Sequence, residues 1–274
     1  KKEPNLKFVY SAINSIIPYI KKGNMIILES TSPVGTTDNI CELILKKTGF
    51  KKEDIFIAYC PERVLPGNII YELKNNDRII GGINSISSSK ICKLYENICN
   101  SKIRITDSRT AELVKIVENS YRDLNIAFAN ELSILADKLD INVYELISFT
   151  NNHPRVNILK PSCGVGGHCI AVDPWFLISQ YPEQTKISRL ARDINISKTK
   201  WIIHKVEKYI KNSFENLNIK IGIFGITYKP NVNDLRESPS LIIANYFSEK
   251  YQVNICEPNL NKFKELKIDS LENT

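Results

Sequence analysis

"TAELVKIVENSYRDLNIAFANELSILADKLD", residues 110–140, contains no glycine and no proline. Its apolar residues recur every three or four positions, which predicts one long helix. The stretch decides the fold because the pattern differs on its two sides. Upstream, short apolar runs alternate with amphipathic stretches. Val9–Lys22 reads as a helix closed by Gly23, "MIILE" (25–29) as a buried strand, and Thr36–Lys47 as a second helix. "IFIAY" (55–59), "RIIGGI" (78–83) and "KIRIT" (102–106) read as further strands, with a helix near Ser87–Asn97. Such alternation predicts a parallel sheet covered by helices. Downstream, residues 142–149, 174–180 and 185–212 extend an all-helical region. Near Asn218 the alternation returns: strand "IKIGIFGI", loop "TYKPNVNDLRE", a helix capped by Ser238 with Pro239 at its first position, then strand "QVNIC" (252–256).

The chain therefore divides into an α/β region over 1–107, a helical region over 108–212 and a second α/β region over 213–274. A single strand–helix–strand unit cannot bury both faces of its strands, so the last region is expected to be incomplete or to lean on another surface. Residue 1 is lysine and "KKEPNLKF" reads as interior sequence, which predicts a fragment of a longer chain.

The 274 residues are 43% hydrophobic and 24% charged, an ordinary globular composition. No apolar run approaches the ~18 residues of a membrane span. A balance of 37 basic and 30 acidic residues gives +7, compatible with a lysine-rich surface or with attraction for a nucleotide. No basic run interleaved with aromatics points to nucleic acid. The seven cysteines form no C-x-x-C pair, which predicts reduced thiols in a cytoplasmic protein.

Chemistry gathers at "GVGGHCIAVDPWF" (164–176). Gly164, Gly166 and Gly167 permit positive φ and close approach of a ligand. Asp173-Pro174 reads as N-cap and first position of a helix, so Cys169 falls just before a helix N-terminus, where a thiolate is favoured. Two readings stay open from these residues: a nucleophile toward an aldehyde, or a buried cysteine in a glycine turn. His168 and Cys163 nearby match no zinc spacing, and no metal is expected. On the long helix Lys115, Asn119 and Arg122 share one face, as a solvated stripe or a ligand-facing one, while Leu113, Val117, Leu124 and Phe128 are placed to pack. Lysine there would stabilise a developing oxyanion or act as a base. "CPERVLPG" (60–67) carries Glu62 and Arg63 beyond a strand end, and "ESTSPVG" (29–35) places Ser30 and Thr31 at the equivalent end of another. His153, Arg155, Lys229 and Arg236 add basic side chains in loops, suited to a pyrophosphate. No G-x-G-x-x-G occurs.

Taken together, "ESTSPVGTT", "PERVLPG", "ELKNNDRIIGG", "AELVKIVENSYRD", "NNHPRVNIL", "GVGGHCIAVDPWFL" and "KPNVNDLRESP" resemble, in order and spacing, the UDP-glucose/GDP-mannose dehydrogenase family. The resemblance covers nearly the whole chain and looks closest to the branch acting on UDP-N-acetylmannosamine. It implies a partial Rossmann-like NAD domain, an all-helical central dimerisation domain and a partial Rossmann-like UDP-binding domain, in a homodimer. It implies oxidation of a sugar C6 alcohol to a carboxylate with two NAD+ in succession: Cys169 captures the aldehyde as a thiohemiacetal, a thioester follows, and water hydrolyses it. By the same resemblance Lys115 is the acid/base and oxyanion partner, Asn119 and Asp173 position water and support that lysine, and Glu62 assists hydrolysis. Arg63, Val64, Arg122, His153, Arg155, Gly166 and Lys229 would contact the UDP-sugar, and Thr31 and Arg236 the NAD. The family's glycine fingerprint is absent. Pro66 stands where the UDP-glucose branch has a second carboxylate. Alternative expectations are UDP-N-acetylglucosamine or UDP-glucose as substrate, a non-catalytic UDP-binding dimerisation module, and a thiol-dependent transferase or hydrolase.

Overall fold

The computed structural model describes residues 3–64, 68–214, 219–260 and 268–269. The Pro66-Gly67 turn lies outside the described residues. The chain forms two compact units, Lys1–Glu118 with Trp175–Gln180 and Asn119–Pro174 with Tyr181–Thr274.

In the first unit, β1 (Met25–Leu28), β2 (Phe56–Tyr59), β3 (Arg78–Gly82) and β4 (Ile103–Asp107) form one sheet in that order. Successive residues of β2 face opposite sides, as the pleat requires. Ile57 joins the cluster of Ile13, Ile26, Ile40 and Ile44, whereas Ala58 joins that of Ile80, Ile91 and Tyr95. Both faces are thus covered, by α1 (Lys7–Ile16) and α2 (Thr36–Thr48) on one side and α4 (Ser85–Glu96) on the other. β1 pairs with β2 and β3 with β4 in parallel, as predicted. The expectation of a wholly parallel sheet fails between β2 and β3, where Ala58 faces Gly82 and Tyr59 faces Gly81 in antiparallel register. The chain re-enters the sheet from the end at which β2 leaves it, so no crossover is made. That connection carries a helix the sequence does not announce, α3 (Ile69–Asn75). The first helix is shorter than predicted: Pro18 removes a donor and turns the chain into a 3-10 segment, Ile17–Tyr19.

The predicted long helix is α5 (Ser108–Lys138). Asp107 starts it, accepting from the Thr110 amide at 2.9 Å and hydroxyl at 2.6 Å. Asp140, at φ 57°, follows its end.

The second unit contains α6 (Val143–Thr150), α8 (Lys186–Ser213) and α9 (Pro239–Ser248), with a parallel sheet of β5 (Lys220–Phe224), β6 (Gln252–Cys256) and β7 (Ile268–Asp269). α7 (Pro174–Gln180) falls in the first unit apart from Pro174. Ser238 caps α9 as the sequence predicts, accepting from the Leu241 amide, and it also donates to the Ile226 carbonyl at 2.7 Å. No described helix is long and apolar enough to cross a membrane.

Helices α5 and α8 depart from the usual arrangement of faces: beside buried apolar residues such as Ala111, Ile116, Ala129, Ala191, Ile203 and Ile210 they bury several polar ones, and they leave several large apolar side chains exposed. Leu113, Val117, Leu124 and Phe128, placed to pack by their spacing, are exposed, together with Tyr121, Leu135 and Leu139. Buried instead are Glu112, Asn119, Asp123 and Asn130 of α5 and Arg192, Asn195, Lys198 and Thr199 of α8. Ile187, Leu190 and Ile196 of α8 are likewise exposed.

Lys198 illustrates the cost of this inversion. It is 5% exposed, donates to Ser133 Oγ at 2.7 Å and lies 4.0 Å from the centre of the Trp201 ring. Burial pushes its ammonium down from 10.5 to about 8. Between those values the unfolded chain binds more protons than the folded one, so this residue's contribution to stability rises with pH from about 8 toward 10.5. Replacing Lys198 with Met should remove that rise, by on the order of 3 kcal/mol across the window. Urea unfolding of parent and variant at several pH values measures it, and parallel stability curves would contradict it.

Candidate active site

Residues 162–173 wrap a cysteine in backbone held at several atoms by other elements. The Ser162 amide donates to Asn130 Oδ1 at 2.8 Å, Thr199 Oγ1 donates to the Cys163 carbonyl at 2.8 Å, and Arg192 Nη1 donates to the Ala171 carbonyl at 2.9 Å. From the other side, the Gly167 amide donates to the Arg236 carbonyl at 2.8 Å.

The glycines serve this packing unequally. Gly164 and Gly167 adopt φ 141° and 85°, where side chains are disfavoured. Gly166, expected to need the same freedom, does not. Its requirement is space: a Cβ there would meet the Glu237 carbonyl oxygen at 2.6 Å, Tyr228 Cβ at 2.8 Å and Pro239 Cδ at 2.9 Å. The glycine loop therefore closes on the protein's own 228–239 loop.

Cys169 lies in a turn about one helical turn before α7, which begins at Pro174 as the sequence reading places it. Its carbonyl accepts from the Val172 and Asp173 amides at 3.0 and 2.8 Å. The residue is half-buried, as is Cys163, while the other five cysteines are buried; none forms a disulfide. Asp173 and Asn119, both buried, are brought together: Asn119 Nδ2 donates to Asp173 Oδ2 at 2.6 Å. The charged neighbourhood of Cys169 comes from the 228–236 loop. Burial first, then Asp234 and Cys169, push the Tyr228 phenol up. Asp234 accepts from Arg236 through both oxygens, and this with nearby His168 (Nδ1 at 3.6 Å) holds its carboxyl at about 2. Lys229 Nζ lies 5.8 Å from the Tyr228 ring centre.

The other predicted residues lie on these elements. Lys115 is half-buried on α5, one turn before Asn119, whereas Arg122 is exposed, so the three do not share one environment. His153 and Arg155 are exposed in the loop after α6, their side chains 3.5 Å apart. In the first unit, Glu62 turns back on its own loop, Oε1 accepting from the Arg63 and Val64 amides at 2.7 and 3.0 Å. Arg63, expected to contact substrate, is engaged by the protein: Nη2 donates to Glu118 Oε1 at 2.5 Å and Nη1 to the Asp77 carbonyl at 2.9 Å. Val64 is half-buried beside it. Thr31 is half-buried in the loop after β1.

Three features escaped the sequence reading. Tyr228 and Asp234 lie inside a quoted motif, but loop residues carry no periodicity to mark them. The Asp123–Arg192–Asn195 group reads as the wet side of two helices; its one signal is the spacing Asn119, Asp123, Asn130 on a single face of α5. Glu112, fully buried, caps α2: its carboxylate accepts from the Gly35 amide at 2.6 Å and from the Thr37 amide and hydroxyl at 2.7 Å. Helix N-termini commonly receive phosphates, but here a side chain already fills the position. The Gly35 and Thr37 amides at the start of α2 are therefore not available to a phosphate.

The chain belongs to the UDP-glucose/GDP-mannose dehydrogenase family: the family models for its NAD binding domain, central domain and UDP binding domain match residues 1–99, 109–197 and 222–273. Within it, the chain is 48% identical to the UDP-N-acetyl-D-mannosamine dehydrogenase of Campylobacter jejuni, over 99% of this chain and 68% of that protein. To the protein of the same name from Escherichia coli K12 it is 45% identical, over 95% of this chain and 66% of the other. Its fold is similar to the solved UDP-D-ManNAc dehydrogenase from Pyrococcus horikoshii (TM-score 0.91, 36% identity, 98% of this chain and 64% of that one). It is also similar to UDP-N-acetyl-mannosamine dehydrogenase Cap5O from Staphylococcus aureus (TM-score 0.87, 40% identity, 97% and 63%). The chain spans about two thirds of the length of these relatives.

The tightness of the loop is testable. Changing Gly166 to Ala should destabilise the fold by about 1–3 kcal/mol, because the new methyl group meets backbone that cannot swing away. Thermal unfolding checks this, and an unshifted midpoint would contradict it.

Proposed function

We propose that the protein carrying this chain oxidises the C6 alcohol of a UDP-N-acetylhexosamine, UDP-N-acetylmannosamine in the first place, to the uronic acid. The observation that carries the reading is the half-buried Cys169 in a loop pinned at several backbone atoms, with the buried Asn119–Asp173 pair at the loop's end. A thiolate adds readily to an aldehyde, and a rigid loop holds it in one geometry. The mannosamine sugar is favoured by the names of the relatives.

Cys169 would form a covalent adduct with the aldehyde carbon. Lys115 would donate to the carbonyl oxygen and stabilise its charge. The Asn119 amide is oriented by Asp173, and the pair would place the water that hydrolyses the acyl adduct. Glu62, held by its own loop amides, would accept a proton from that water. Val64, Arg122, His153, Arg155, Gly166 and Lys229 are proposed on the UDP-sugar side. Arg63 joins them only if it gives up its bonds to Glu118 and Asp77. NAD, when bound, would supply the hydride acceptor twice in succession, for alcohol to aldehyde and for the cysteine adduct to the acyl adduct; Thr31 and Arg236 would line it. The proposed functional division is an NAD-binding region over 1–107, a helical catalytic and dimerising region over 108–212, and a UDP-binding region over 213–274. Seven cysteines outside any disulfide favour a cytoplasmic setting.

In the full-length protein, Cys169→Ala should lower NADH formation from UDP-N-acetylmannosamine by about a thousandfold. Retained production of the acid would overturn the reading. Stronger turnover of UDP-N-acetylglucosamine by the parent would reassign the sugar alone.

The exposed apolar face of α5, from Leu113 through Phe128 to Leu139, supports a homodimer formed through the helical region. Phe128→Glu, placing a charge in the middle of that face, should shift the sedimenting species from dimer to monomer. A parent protein that sediments as a monomer at all concentrations would refute it.

A further inference from the structure

Beneath the cysteine loop runs a continuous buried chain of polar groups. Arg192 donates through Nη1 to the Ala171 carbonyl at 2.9 Å and through Nε to Asp123 Oδ2 at 2.8 Å. Asn195 Nδ2 donates to Asp123 Oδ1 at 2.8 Å, and its Oδ1 accepts from Asn130 Nδ2 at 2.8 Å. Asn130 Oδ1 in turn accepts from the Ser162 amide at 2.8 Å. Both ends of this chain are backbone atoms of one loop, at residues 162 and 171, and Cys169 lies between them. Every side chain in it is at most 2% exposed. Arg192 Nη2 has no partner among the described residues, so the guanidinium sits there although both N–H groups of that nitrogen go unused.

We infer that Arg192 is a positioning residue that fixes the Cys169 thiol by clamping the loop through Asp123 and the Ala171 carbonyl. The proposal rests on the reading of Cys169 as the nucleophile. Merely neutralising a buried aspartate would need only a positive charge, which lysine supplies. Holding a carboxylate and a carbonyl in fixed relation needs the planar fork of arginine, which lysine lacks. A loop displaced by a fraction of an ångström would keep its ligands and lose its attack geometry.

The test compares Arg192→Lys and Arg192→Met in the full-length protein, by thermal unfolding, steady-state kinetics with UDP-N-acetylmannosamine and NAD+, and peptide-resolved alkylation of Cys169 by iodoacetamide. Arg192→Lys should melt nearer to the parent than Arg192→Met does. Its kcat should fall by about tenfold or more, with both KM values within about twofold, and Cys169 alkylation should change by about threefold or more. Asn130→Ala, at the far end of the chain, should move kcat and alkylation the same way, and it decides the matter if Arg192→Lys does not fold. Parent values of kcat and alkylation in a folded Arg192→Lys, or in Asn130→Ala, would overturn the proposal. If the parent reduces no NAD+ with any UDP-sugar, the functional reading falls, and the alkylation rates alone decide whether the clamp stands.

Discussion

Asp123 and Arg192 meet at 2.8 Å with 1% and 2% of their surfaces exposed. Removing two charges from water costs more than their mutual attraction returns unless other hydrogen bonds satisfy the remaining atoms. Burial pushes the Asp123 carboxyl up, and Arg192 and Asn195 pull it back. Losing either partner would leave the other charge buried, at about 3–5 kcal/mol. The pair therefore constrains everything around it: α5 must keep Asp123, α8 must keep Arg192 and Asn195, and the loop must offer the Ala171 carbonyl. An apolar core could hold these two helices together equally well, but it offers no directional bonds to a loop.

The same constraint explains the inverted helices. With their inner faces given partly to polar groups, α5 and α8 carry Leu113, Leu124, Phe128, Leu190 and Ile196 outward, while Ile116, Ile203 and Ile210 stay buried. One face bonds to the backbone of the cysteine loop, and the other leaves an exposed apolar stripe.

Much of the architecture was legible because it rests on local signals. The strand–helix alternation, the uninterrupted run of α5 and the Ser238-Pro239 start of α9 each follow from period, capping or the absence of breakers. The cysteine loop was legible from its glycines, although Gly166 is needed for clearance and not for its φ. What stayed hidden depends on non-local pairing. The antiparallel β2–β3 pair has the same apolar runs as its parallel neighbours. Periodicity assumes that polar residues face water, and so it turned α5 the wrong way round at Leu113, Val117, Leu124 and Phe128. The bonds of Arg63 to Glu118 and Asp77 stayed hidden because both partners lie far from it in sequence.

Glu112 joins two helices whose starts are separated by more than seventy residues of chain, since its single carboxylate collects the first amides of α2. That makes it a mechanical tether within the first unit. Any twist of the opening turns of α5, where Lys115 also sits, pulls on the root of α2 and on the Thr31 loop before it. A shift at the start of α5 would in this way be felt in the loop that follows β1, carried by one carboxylate.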